Sequence, residues 1–316
     1  MTFFLAKNEK KKTLWYNESL HSTYKEDTFM DTIYLSPSDD LQKAFDNAPE
    51  GALVCLAKGE YRQKVKVRTA GLTIRGEGAE NTVIVYDDYA LKKDEEGKEL
   101  VTFRTWTVAV CADHVRMEDL SIVNDSLHPE VKGQEVALSV YGDDFVMELC
   151  RLTSTQDTLF VGPLPPDLIE RYDGFLTDDL RQNRELRQTF RNCLIEGTVD
   201  FIFGSGNTLI EDCEIRSLCD RRDIGYIAAP SHSLSQTEGI VFRHCRLTSE
   251  EGVRKGSIYL ARPWRDYGLT TFEDCEIGDH IAPEGFDKWN DTSRDKTARF
   301  FETPAVSGRV DWINRS

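Results

Sequence analysis

The chain has 316 residues, 40% hydrophobic and 30% charged, which suits an ordinary globular protein with one large core or two small ones. Its formal net charge of −16 argues against a basic face for nucleic acid or an anionic membrane, and disfavours a polyanionic substrate unless a cleft carries local positive charge. No stretch approaches the ~18 apolar residues of a membrane span, and in MTFFLAKNEKKK the apolar run precedes the positive charges, the reverse of a secretory signal. The chain as written is therefore expected to be cytoplasmic, or secreted if a leader has been removed.

Residues 1–35 read as a polar N-terminal arm, in which Lys10 to Lys12 are a solvated face, and 36–316 as one domain. Ser38 precedes Leu41, Ala44, Phe45 and Ala48 at helical spacing, which predicts a capped amphipathic helix ending before Pro49 and suited to plugging one end of a sheet structure. Short alternating segments follow with almost no helical period: ALVCLAKG, KVKVRT, LTIRG, TVIVY, WTVAVCA, VRMEDLSIVN, VALSVY and FVMELCRLTS.

These segments repeat. VMELCRL (146–152), FRNCLI (190–195), IEDCEI (210–215), FRHCRL (242–247) and FEDCEI (272–277) share one template, and VRMEDLSI (115–122) fits it with Leu120 in the cysteine's place. The anchors Leu120, Cys150, Cys193, Cys213, Cys245 and Cys275 lie 30, 43, 20, 32 and 30 residues apart. A strand-rich unit at that period is a solenoid. The expected fold is all-β: a single-stranded, right-handed parallel β-helix with an N-terminal capping helix, long wall loops and an internal cysteine ladder. An immunoglobulin-like sandwich would not repeat in this way. The eight cysteines include no C-x-x-C pair and no histidine at zinc-ligand spacing, so they read as small core residues.

The 43-residue interval holds GPLPPDLIERYDGFLTDDLRQNRELR, which must leave the coil as a long loop bordering a groove. Residues 88–103 form a second charged loop. The tail from Phe286 onward, with Trp289, Phe300, Phe301 and Trp312, reads as an end cap.

Asp200 stands in an otherwise apolar run, where a carboxylate must be paired, used, or spent on capping a turn. Asp157 and Asp200 both lie seven residues after a ladder cysteine, which puts them on one wall a rung apart, about 5 Å in backbone spacing. Two carboxylates so close should split in pKa, giving a nucleophile and a general acid. Gln134 and Gln156 are neutral donors suited to an oxyanion, Arg262 suits a bidentate contact holding Asp200 ionised, and Trp264 suits a sugar face. A surface ion pair for Arg262 and a core position for Trp264 are the alternatives.

In order, GEYRQKV (59–65), QEVAL (134–138), QDTLF (156–160), GTVDFIFG (197–204) and ARPW (261–264) closely resemble the pectin methylesterases, the pectinesterase family, over about residues 36–312. The GPLPP loop and YIAAPS (226–231) look more like bacterial members than plant ones. The resemblance implies removal of methyl esters from the C6 carboxyl of galacturonate units in pectin or its oligosaccharides, releasing methanol. It implies Asp200 as nucleophile, Asp157 as general acid and then base, Gln134 and Gln156 as oxyanion donors, and Arg262 as the residue orienting Asp200. Phe160, Val199, Phe203, Tyr259 and Trp264 would line the sugar cleft, and no metal or organic cofactor is implied.

Ala261, Phe160, Gln63 and Trp106 depart from the family's usual residues, and Trp106 is expected to narrow the groove. The rivals are a pectate lyase or polygalacturonase on the same fold and a catalytically silent carbohydrate-binding solenoid; a serine esterase would need a G-x-S-x-G elbow, which the chain lacks. The acidic surface together with the N-terminus suggests action on short, still-esterified oligomers imported into the cell.

Overall fold

The computed structural model describes residues 31–126, 133–219 and 221–314. Three parallel sheets of ten, seven and eight strands run in chain order from one end to the other. Each coil visits them in turn: Phe145–Glu148, Arg151–Thr153 and Leu159–Val161 make one rung, and Arg187–Arg191, Leu194–Gly197 and Val199–Gly204 the next. This is a parallel β-helix. Its core is a column of stacked side chains such as Met117, Met147, Phe190, Ile210, Phe242 and Phe272.

The repeat template is a turn between the ten-stranded and eight-stranded sheets. The residue before each anchor (Asp119, Leu149, Asn192, Asp212, His244 and Asp274) is left-handed, with φ between 51° and 55°. Asn and Asp tolerate that conformation. Each cysteine then turns inward, and its thiol faces a backbone carbonyl one coil back: Cys150 to Met117 at 3.7 Å, Cys193 to Met147 at 3.6 Å, Cys213 to Phe190 at 3.6 Å. All eight cysteines are free.

The helix Leu41–Asn47 caps the N-terminal end, with Asp40, two residues after Ser38, as its N-cap. Gln42 completes the edge strand Val65–Val67, accepting from the Lys66 N–H at 2.7 Å and donating to the Lys66 carbonyl at 2.9 Å. Gln63 needs its amide: it accepts from Leu41 N and donates to the Asp39 carbonyl, which a carboxylate could not do. The expected arm extends four residues too far, because Thr32–Leu35 is the first strand of the ten-stranded sheet, paired with Leu53–Leu56. Residues 1–30, with Lys10 to Lys12, lie outside the described residues.

Both expected loops leave the coil. The longer one folds into a short helix, Pro166–Arg171, and a 3-10 turn, Asp178–Leu180. A second apolar cluster glues both loops to the seven-stranded wall: Leu164, Leu168, Leu176 and Leu180 pack with Phe103, Trp106, Tyr141 and Phe160. Lys66 adds a tether, reaching the Thr177 hydroxyl at 2.7 Å and Asp179 at 3.1 Å. Trp106 is buried between the cluster and the ammonium groups of Lys64 and Lys66, and stands outside the groove, so it does not narrow it. The tail caps the C-terminal end through Phe286, Phe300 and Trp312, and Arg299–Thr303 adds the tenth strand. Trp289 departs from this cap and enters the groove. No helix among the described residues is long and apolar enough to cross a membrane.

Candidate active site

A groove of about 610 Å³ lies against the seven-stranded wall, and both aspartates, both glutamines and Arg262 line it. Asp157 and Asp200 stand on successive coils, joined by an Asp157 N–H to Val199 carbonyl bond of 3.1 Å. Both are left-handed, at φ +66° and +51°. Asp200 is aimed by a β-bulge: Val199 pairs with Tyr226 but Ile202 pairs with Ala228, so two residues oppose one. The bulge turns Phe201 into the core and leaves Asp200 facing the groove. Gly197 makes room for it, since a Cβ there would stand 2.3 Å from that of Phe201.

Arg262, from the end of the rung Ile258–Ala261, grips Asp200 with two bonds, Nε to Oδ1 at 2.8 Å and Nη2 to Oδ2 at 2.6 Å. The two carboxyls are 8% and 7% exposed but differently placed. Burial raises Asp200, and the Arg262 fork opposes that rise. Burial raises Asp157 well above the usual carboxylate range, the Asp200 charge adds to the rise, and Asp157 has no fork of its own. Asp200 is therefore the first of the two to ionise, and Asp157 keeps its proton longer. Gln156 accepts from Arg222 through Oε1 at 3.2 Å, which leaves its amide nitrogen as the donor end beside Asp157. Among the described residues, no three His, Cys, Asp or Glu side chains group as metal ligands.

Of the expected cleft residues, Phe203 and Trp264 line the groove, 5.7 Å apart between ring centroids. Phe160 lies beneath them, fully buried, with its ring 5.1 Å from Phe203 and 5.3 Å from Phe103. Val199 is buried in the wall, and Tyr259 stacks on Tyr226 at 5.4 Å rather than facing the groove. Phe103, Arg171, Tyr172, Arg265, Trp289 and Arg294 line it too and were not anticipated. They sit on segments outside the repeating coil, some of them in short helical turns, so no spacing pointed to them. A fork from Arg265 to Asp167, at 3.1 and 2.8 Å, ties the long loop to the segment after Arg262.

The Pectinesterase family model matches residues 31–163 and 174–314. The chain belongs to the pectinesterase family. Pectinesterases are carboxylic ester hydrolases that remove methyl esters from pectin, and so does this member. Pectinesterase QRT1 of Arabidopsis thaliana is 32% identical over 293 residues, 86% of this chain and 68% of that protein. Across the similar plant relatives, the share of the relative that is spanned runs from 31% to 82%. Among solved structures, pectin methylesterase from carrot matches with a TM-score of 0.75 and 25% identity, covering 92% of this chain and 91% of that one. A pectin methylesterase in complex with a hexasaccharide matches with a TM-score of 0.73 and 25% identity, over 89% and 92%. The β-helix is right-handed, as in these structures. The bacterial likeness expected from GPLPP and YIAAPS gains no support from the plant relatives.

Proposed function

We propose that this pectinesterase works through Asp200 as nucleophile on the C6 methyl ester of a galacturonate unit. The observation that carries the reading is the unequal environment of the two buried carboxyls, one forked by Arg262 and one not. Asp200 attacks the carbonyl carbon, and Gln134 and Gln156 donate to the oxyanion. Collapse expels methanol, protonated by Asp157, and leaves an acyl-enzyme anhydride on Asp200. Asp157, now ionised, takes a proton from water, which attacks that acyl carbon, and Asp200 departs as carboxylate toward Arg262. Phe203 and Trp264 give the sugar two apolar faces.

Short, still-esterified oligomers are the proposed preferred substrates. Arg171, Arg262, Arg265 and Arg294 make the groove locally positive, while the chain's charge of −16 opposes a long polygalacturonate running past its ends. The test is methanol release from highly methylated pectin and from methylated oligomers, with reducing ends counted beside it. The wild type should release methanol without new reducing ends, and Asp200→Asn should lose on the order of a thousandfold or more. Methanol release surviving in that variant would take the nucleophile's role from Asp200.

A further inference from the structure

Arg262 is held by more than its fork. Its guanidinium carbon lies 3.8 Å from the ring centroid of Tyr226 and 4.1 Å from that of Trp289. Two rings that close to one carbon would overlap if they shared a face, so they cover opposite faces of the planar cation. Behind Tyr226 the ring of Tyr259 stacks at 5.4 Å, giving a column of Tyr259, Tyr226, Arg262 and Trp289. Among the described residues, Asp200 is the one side chain that pairs with Arg262.

Trp289 reaches this position at a conformational cost. Its φ is +70°, a left-handed backbone that a bulky side chain rarely adopts, and the next residue, Asn290, is left-handed as well. The turn is fixed by the Trp289 N–H donating to Asp287 Oδ1 at 2.6 Å. Strain of this kind persists only where the surroundings enforce it. Here it lays an indole flat on the cation that grips the nucleophile.

Aromatic faces attract a guanidinium without accepting its N–H bonds. A carboxylate in their place would compete with Asp200 for the fork. We propose that Tyr226 and Trp289 are positioning residues that hold the Arg262 guanidinium flat between them, keeping its fork on Asp200 and fixing the plane of that carboxylate during attack. The proposal rests on Asp200 being the nucleophile. The other charges facing this centre are Asp157 from the preceding coil, Arg222 from the loop before Gly225–Pro230, and Asp287 from the Trp289 turn. Arg294 lies on Trp289, 5.8 Å from its ring.

The test is the pH dependence of kcat and kcat/KM for Trp289→Leu and Trp289→Phe, with thermal unfolding as the check on folding. Trp289→Leu should lower kcat about tenfold, leave KM within about twofold, and move the acid limb upward by about half a pH unit, because a loosened Arg262 favours ionised Asp200 less. Trp289→Phe, which keeps a face on the cation, should stay within about threefold of wild type. A raised KM with kcat and the acid limb unmoved would make Trp289 a sugar-stacking surface alone and overturn the proposal; so would a fall in kcat with an unmoved acid limb. If Trp289→Leu does not fold, Tyr226→Leu reads the other face by the same criteria. Activity surviving in Asp200→Asn would instead remove the nucleophile, so the two failures are distinct.

Discussion

Arg262 engages both oxygens of Asp200, so only the lone pairs that the fork leaves free remain for the proposed attack on substrate. Arg262→Lys keeps the charge and loses that geometry. It should lower kcat about a hundredfold and move the acid limb upward, with little change in stability. Arg262→Leu leaves a buried carboxylate unpaired and should cost about 3–5 kcal/mol as well, read from urea unfolding. A lysine variant as active as wild type would mean that charge alone suffices. At this scale the sequence was most legible where the coil carries the residue. Asp157, Asp200 and Arg262 sit on or at the ends of rungs, so counting from the cysteine ladder placed the carboxylates together. Phe160 and Tyr259 were expected in the cleft lining but pack instead on the rings of Phe103 and Tyr226, which come from elsewhere in the chain. Trp289 was assigned to the end cap because its position depends on a strained turn outside the repeat.

Between the sheets, the turn that repeats every coil explains why the cysteine template exists. A left-handed residue must precede the inward-pointing anchor, and Asp, Asn or His fills that place on five of the six turns. Leu149 is the exception, 51% exposed at φ +55°. It contributes little burial and carries the steric penalty of a left-handed L-residue. Leu149→Asn should therefore raise the unfolding free energy by about 0.5–1 kcal/mol at unchanged activity. A lower urea midpoint would show that the leucine's contacts outweigh its backbone strain. The strands and their order were readable from period alone, because one apolar position per short segment is what a stacked coil requires. The 43-residue interval showed that a loop leaves the coil there. It did not show that Arg265 and Lys66 would tie that loop down, since both partners, Asp167 and Asp179, lie far from them in the chain.

Across the whole molecule, stability should depend on acid through a histidine that does not line the groove. His232 is buried, accepting from Leu269 N through Nδ1 at 3.3 Å and donating from Nε2 to the Gly206 carbonyl at 3.1 Å. Burial lowers it to about 4 from the usual 6.5. Between those values the unfolded chain binds a proton that the folded chain does not. The stability from neutral His232 is present above the unfolded pKa and is lost as pH falls through the folded one. The wild type should lose up to about 3 kcal/mol more than His232→Gln between pH 7 and pH 4. Asp157, with its raised pKa, contributes in the opposite direction in both proteins, so the difference isolates the histidine. Parallel pH curves would contradict this. Net charge, by comparison, was a guide to what the surface avoids, and gave no hint that four arginines converge in the groove.

The division of labour between the two aspartates is tested most directly by the pH profile of kcat/KM for the wild type beside Asp157→Asn. The wild type should give a bell, with Asp200 ionising on the acid side and Asp157 losing its proton on the basic side. In Asp157→Asn the residual activity should keep the acid limb and lose the basic one. A basic limb that persists unchanged in the variant would contradict the assignment of Asp157 as the protonated partner.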